Sequence, residues 1–187
     1  MHYTYAEYLA LEEESPIRHE YLDGEIYAMA GGTPDHAALA AAALSIIRPQ
    51  LPRGCRAFTS DLRVRIPATG LTTYPDGAVV CGGSQRAPED SLAVTNPLLL
   101  IEVTSNSSED YDRGEKLRHY QAIASAKEIL ILSHREPRVT LHRRVEGEWT
   151  SLEAAQGESI ALQSIGGLVQ VDDLYRDGLE DSYPKSS

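Results

Sequence analysis

Two acids stand in runs otherwise suited to a protein core: Asp76 in "YPDGAVVC" and Glu102 in "LLLIEVTS". A buried carboxylate is costly unless it is paired or holds a metal ion. Asp76 opens its run directly after Pro75, and Glu102 lies inside the next long apolar run. If the two runs are neighbouring strands, both carboxylates reach one spot at a strand end. Two facing carboxylates repel, and a hard divalent cation with oxygen ligands resolves that repulsion. Mg²⁺ suits such a pair, with Mn²⁺ as a substitute, because it takes few carboxylates and clamps phosphate oxygens. Lys116 and Tyr120 follow at i and i+4 on one helix face, from which an ammonium can point back at the acids. Each residue also has a plain alternative. Asp76 can cap a turn, Glu102 can pair with a buried Arg or Lys, and Lys116 can pair with Asp112 at i,i+4. Glu20 can be a salt-bridge partner on a hairpin strand, His36 a surface or packing histidine, and Tyr120 a core residue.

The elements that must position these groups follow from local pattern. "TYAEYLALEEE" has Tyr5, Tyr8 and Leu9 at helical spacing, and Asp23-Gly24 marks a hairpin turn between two short strands within residues 20–29. Thr33 as cap and Pro34 at the first helical position predict a helix over about 34–48, closed by Pro49. Its alanine run predicts close packing against a sheet or a partner chain. "CRAFTSDLRVRIPA", with Leu62, Val64 and Ile66 alternating, reads as strand, as do "DGAVVC" and "LLLIEVTS". The last two are apolar on both faces, as central strands of a covered sheet are. "SSEDYDRGEKLRHYQAIAS" is predicted helical, "KEILILSH" a strand, and "RVTLHRRVEGEWTSLEAA" a hairpin turning at Gly147. Short strands and a docking segment end the chain, with residues 176–187 a frayed tail. The expectation is one α/β domain over 1–187: a mixed β-sheet core flanked by helices, with a β-rich C-terminal part.

Composition narrows the class. Hydrophobic residues at 42% and charged residues at 24% suit a globular domain. "PLLLI" and "EILIL" are too short to span a bilayer, and the acidic start lacks the basic and apolar regions of a secretory signal. Cys55 and Cys81 have neither the number nor the spacing of a disulfide framework or a zinc site, so a cytoplasmic protein is expected. The net charge of -11 weighs against broad attraction to nucleic acid. Residues 145–187 hold nine acids against two bases, a balance of -7, leaving -4 on the rest. Neither a Walker-type lysine nor a G-x-S-x-G elbow is present.

In this order and spacing, "YPDGAVV", "LLLIEVTS" and "YDRGEKLRHY" resemble the PD-(D/E)XK nuclease superfamily, and more closely its Uma2 family of restriction-endonuclease-like proteins. "HEYLDGEIYAMAGGTPDHAALAAAAL" and "SDLRVRI" are similar to the preceding parts of that family, and the likeness covers roughly residues 3–145. The resemblance implies that Asp76, Glu102 and the backbone carbonyl of Val103 hold the metal. It implies that Lys116 replaces the superfamily lysine, whose usual position is occupied here by Thr104. It makes Glu20 a support or second ligand, and it matches His36 and Asp61 to positions without a derived role.

The expected function is metal-dependent endonucleolytic hydrolysis of DNA phosphodiester bonds by a homodimer. Two rivals stand beside it: a nuclease-fold interaction module without catalysis, and a hydrolase of a smaller phosphodiester. A groove lined by Arg63, Arg65, Arg113 and Arg118 would mark a duplex substrate, and a deep pocket at Asp76 the smaller one.

Overall fold

The computed structural model describes residues 2–29, 31–105 and 114–180. The elements begin with α1 (Tyr5–Glu14), the hairpin β1 (His19–Leu22) and β2 (Glu25–Ala28), and α2 (Pro34–Ile47) with a 3₁₀ turn over Arg48–Gln50. Next come β3 (Cys55–Thr59), β4 (Arg63–Ile66), β5 (Leu71–Thr73), β6 (Gly77–Cys81), β7 (Arg86–Ala87), β8 (Asp90–Val94) and β9 (Leu99–Val103). The chain then forms α3 (Glu115–Gln121), β10 (Glu128–Leu132), β11 (Arg138–Val145), β12 (Glu148–Ala155), β13 (Ser159–Leu162), β14 (Gly167–Gln170) and the short α4 (Val171–Leu174). Of the helix predicted over 107–125, Glu115–Gln121 is present as α3, and the chain leaves the helix at Ala122; residues 107–113, including Asp112 and Arg113, lie outside the described residues, as does most of the tail expected to fray.

Local chemistry sets several boundaries. Thr4 caps α1 through a reciprocal capping box with Glu7. Thr33 caps α2, with Pro34 in its first turn. The β1–β2 turn places Asp23 at φ 49° and Gly24 at φ 85°, and the β11–β12 turn places Glu146 at 51° and Gly147 at 94°. Positive φ at both central residues is the tight hairpin geometry that Asp-Gly favours.

Two six-stranded mixed sheets organise the chain, one more large sheet than the sequence pattern distinguished. The first runs β12-β11-β10-β9-β6-β3, with β9 and β10 parallel and the other pairs antiparallel. The second runs β2-β1-β5-β4-β8-β7. The stretch "CRAFTSDLRVRI", read as one strand, is thus split: β3 belongs to the first sheet and β4 to the second. The chain re-enters the first sheet through Tyr74-Pro75-Asp76, between the end of β5 and the start of β6.

The central strands separate two cores. Val79, Leu99, Ile101, Val103, Leu130 and Leu132 face α2 and the C-terminal hairpin. Ala78, Val80, Leu100, Ile129 and Ile131 face the second sheet and α3, packing with Val64, Ile66, Leu117 and Tyr120. Side chains alternate along a strand, so Asp76 and Glu102 fall on the second of these faces. There Glu102 points between the sheets and toward α3, whereas Asp76, just before β6, is met from α2 by His36. Leu39, Ala43 and Ile47 bury one stripe of α2. A Cβ at Gly77 would lie 3.1 Å from the Leu44 side chain and 3.2 Å from that of Ile101, so glycine is what lets α2 lie this close to β6.

One expectation is corrected, and one conditional mark of a duplex substrate is answered for two of its four arginines. Cys55 and Cys81, 26 residues apart, are bonded as a disulfide, because the antiparallel β3–β6 register sets them directly opposite each other. The cysteine argument for a cytoplasmic location falls with that pairing. Arg63 does not line a groove: it is buried, donating to Tyr74 Oη at 2.7 Å and to Asp90 Oδ2 at 2.9 Å. Tyr5 Oη also donates to Asp90, at 3.0 Å, and Tyr74 donates to Glu12 at 2.7 Å, so this network clamps α1 onto the second sheet. Arg65 is committed too, to Glu89, Thr72 and the carbonyl of Gly70, with its guanidinium 4.2 Å from the Tyr5 ring centroid.

Removing Asp90 leaves the Arg63 charge buried and uncompensated. Asp90→Ala is expected to lower the unfolding free energy by about 3–5 kcal/mol. Leu92→Ala, two residues away and 63% exposed, should change it by less than about 0.5 kcal/mol. Urea denaturation of both variants checks the contrast.

Candidate active site

Lys116 sits where the two sheets and α3 meet. Its Nζ lies 3.0 Å from Glu102 Oε1 and 3.4 Å from Glu20 Oε1. Glu20 comes from β1 of the second sheet, Glu102 from β9 of the first, and Lys116 from the first turn of α3. All three are buried, with Glu102 at 4% and Lys116 at 5% exposure. Both plain alternatives for the acids are therefore realised in part: Glu102 and Glu20 do pair with a buried lysine, and it is the Lys116 singled out from sequence.

Two hydroxyls complete this cluster. Tyr120, one helical turn after Lys116, donates its O–H to Glu102 Oε1, and Thr73 on β5 donates to Glu20 Oε1. Burial, and after it the adjacent Glu102 carboxylate, push the Tyr120 phenol well above its ordinary pKa, with Lys116 only partly offsetting them. Tyr120 thus stays a neutral donor that fixes the carboxylate's orientation. Thr73 escaped the sequence reading, because nothing in "LTTYPD" distinguishes a site hydroxyl from a strand threonine.

Asp76 stands at the rung beyond the Gly77↔Ile101 pair, beside Glu102. Its Oδ2 accepts from the Val103 N–H at 2.8 Å and lies 3.2 Å from His36 Nε2, brought in by the first turns of α2. Burial alone would raise the Asp76 pKa. The hydrogen bond and charge of His36, the Val103 amide and Lys116 outweigh it and hold the carboxyl below its usual range.

The donor set fits a hard cation. Thr104 N–H donates to Leu132 on the β10 side, at 2.9 Å. Successive residues of a strand turn their backbone groups to alternate neighbours, so Val103 presents both its N–H and its C=O toward the Asp76 side. Asp76, Glu102 and the Val103 carbonyl are then oxygen donors at one strand end, the ligand type Mg²⁺ takes. Among the described residues no group of three or more His, Cys, Asp or Glu side chains forms a metal cluster. An ion here would rest on two carboxylates and a carbonyl, leaving positions for water and substrate oxygens.

A cavity of about 620 Å³ opens beside Asp76, between the alanine face of α2 and the segment leading into β1. His36, Tyr74 and Arg18 also line it. Asp61, the remaining sequence candidate, does not join the cluster. Its side chain is 79% exposed and pairs with Arg18.

The Asp76 shift has a stability consequence. A depressed folded-state pKa contributes stability that is fully present above the unfolded value and lost as pH falls through the folded one. With divalent ions chelated, wild type should be more stable than Asp76→Asn at about pH 6, and the gap should narrow toward about pH 3. Urea titrations across that range check this; a constant gap would contradict it.

Comparisons with known proteins agree with this geometry. The Uma2 family model, described as "Putative restriction endonuclease", matches residues 5–172. The chain is 36% identical over 172 residues to the uncharacterized protein slr1290 of Synechocystis sp., covering 91% of this chain and 90% of that one. A second protein of that organism, the uncharacterized protein sll1609, is 29% identical over 161 residues, covering 86% and 91%. A crystal structure from Anabaena variabilis, titled a putative nuclease belonging to DUF820, shares the fold. Its TM-score is 0.66 at 19% identity, over 87% of this chain and 92% of that one. With a family model matching residues 5–172 and a relative 36% identical over nearly the whole chain, this protein belongs to the Uma2 family of restriction-endonuclease-like proteins.

Proposed function

We propose that this protein is a divalent-cation-dependent endonuclease that hydrolyses phosphodiester bonds of DNA. One observation carries the reading: Asp76 and Glu102 stand at neighbouring positions of adjacent strands, with the Lys116 ammonium 3.0 Å from Glu102. A divalent cation held by Asp76, Glu102 and the Val103 carbonyl would polarise the scissile phosphate and make a water acidic enough to attack near neutral pH. Lys116 offsets negative charge growing on the phosphoryl oxygens, a preorganised contribution that needs no rearrangement at the moment of reaction. Glu20 holds Lys116 in place from the second sheet, and Tyr120 holds Glu102. His36 orients Asp76 through its Nε2 contact.

Plasmid and single-stranded DNA cleavage in Mg²⁺ or Mn²⁺ tests the proposal. Wild type should cut, and Lys116→Met should lose roughly 10²–10³ in kcat. Because that variant leaves two acids buried without their lysine, the double variant Glu20→Gln/Lys116→Met is the matched control. It removes one of the two uncompensated acids, so it should be more stable than Lys116→Met while remaining equally slow. Absence of cleavage by folded wild type in both metals would overturn the proposal, and full activity of either variant would remove Lys116 from it.

A further inference from the structure

The cavity at Asp76 has a composition the hydrolytic site does not by itself require. One wall is the exposed small-residue face of α2, Ala37 and Ala41, continued by Ala40 and Leu44. The opposite wall carries Ile17, 52% exposed, and Arg18, whose guanidinium lies 5.2 Å from the Tyr74 ring centroid. At about 620 Å³ it falls within the roughly 300–1,000 Å³ of small-molecule sites, which are likewise mostly apolar with a few polar groups. Its polar end is Asp76 and His36, where the scissile phosphate would bind.

We infer that this cavity receives a single unpaired nucleotide next to the scissile phosphate, so that the substrate is single-stranded or locally unpaired nucleic acid rather than a stacked duplex. This rests on reading the Asp76 site as a phosphodiester hydrolase. The cavity is the space adjoining a phosphate bound at Asp76, and an apolar wall with a planar guanidinium is the surface an unstacked base seeks. Charge points the same way. Duplex binding draws on several Lys or Arg contacts to phosphates. Here Arg63 is buried against Asp90, Arg65 is held by Glu89 and Gly70, and the chain carries -11 overall. One nucleotide in a pocket needs far fewer cationic contacts.

The test is binding, read separately from hydrolysis. Fluorescence anisotropy would compare a labelled short oligothymidylate with a labelled blunt duplex, in EDTA and in Ca²⁺. Proteins would be wild type, Ala41→Trp, which fills the cavity, and Ala38→Trp, exposed on the same helix outside the cavity wall. The expected result is single-strand affinity at least about tenfold above duplex affinity, lost by about tenfold or more in Ala41→Trp and kept in Ala38→Trp. Thymidine 5′-monophosphate should compete. Equal affinity for duplex, no binding of the single strand in either condition, or unchanged binding by Ala41→Trp would overturn the inference. So would a shift of Ala41→Trp from dimer to monomer in sedimentation, which would make the groove a contact between copies of the chain. Binding as expected without DNA cleavage would instead defeat the hydrolase reading and leave the nucleotide pocket standing.

Discussion

The arrangement depends on one buried ammonium. Lys116 from α3 reaches Glu20 on the second sheet and Glu102 on the first. Each of the three charges would be expensive to bury alone, and breaking such a cluster at one member costs about 3–5 kcal/mol. The helix and the two sheets are therefore tied at the point where chemistry is proposed. The donors from Tyr120 and Thr73 extend the cluster, so the carboxylates are oriented as well as partly offset in charge.

Asp76 reaches the same spot by a different route. It lies on the short crossing from β5 to β6, where the chain leaves one sheet for the other. One end of that crossing is fixed by Thr73, bonded to Glu20, and by Tyr74, bonded to Arg63 and Glu12. The other end is fixed by the β6–β9 register and by the Val103 N–H. The close approach of α2 over Gly77 then brings His36 to its carboxylate. Burial opposes ionisation of Asp76, and these contacts outweigh it. Were Asp76 to hold a cation, as proposed, it would already be charged before the cation arrived.

Local rules made the hairpin turns, the α2 cap and the two-faced apolar strands legible in the sequence, because each is decided within a few residues. The pairing of Asp76 with Glu102 was legible only as a conditional, since strand adjacency is not a local property. The same limit hid the disulfide: Cys55 and Cys81 meet through a register set by two strands 26 residues apart. It hid the fate of Arg63, which alternates like a surface base but finds Asp90 27 residues on. The second sheet was obscured because β5 and β7 are only three and two residues long, and because β3 and β4 read as one strand in the sequence. The cavity left no sequence signal beyond the alanines of α2, which suit a packed interface equally well.

Everything proposed for this site follows from Asp76 and Glu102 holding a hard divalent cation. Titration calorimetry with Mn²⁺, on wild type, Asp76→Asn and Glu102→Gln, tests it most directly. Wild type should bind one or two ions, and both variants should lose them while their folded far-UV spectra persist. No binding by wild type up to millimolar Mn²⁺, with all three proteins folded, would contradict it and leave the Lys116 cluster as a structural tie between the sheets.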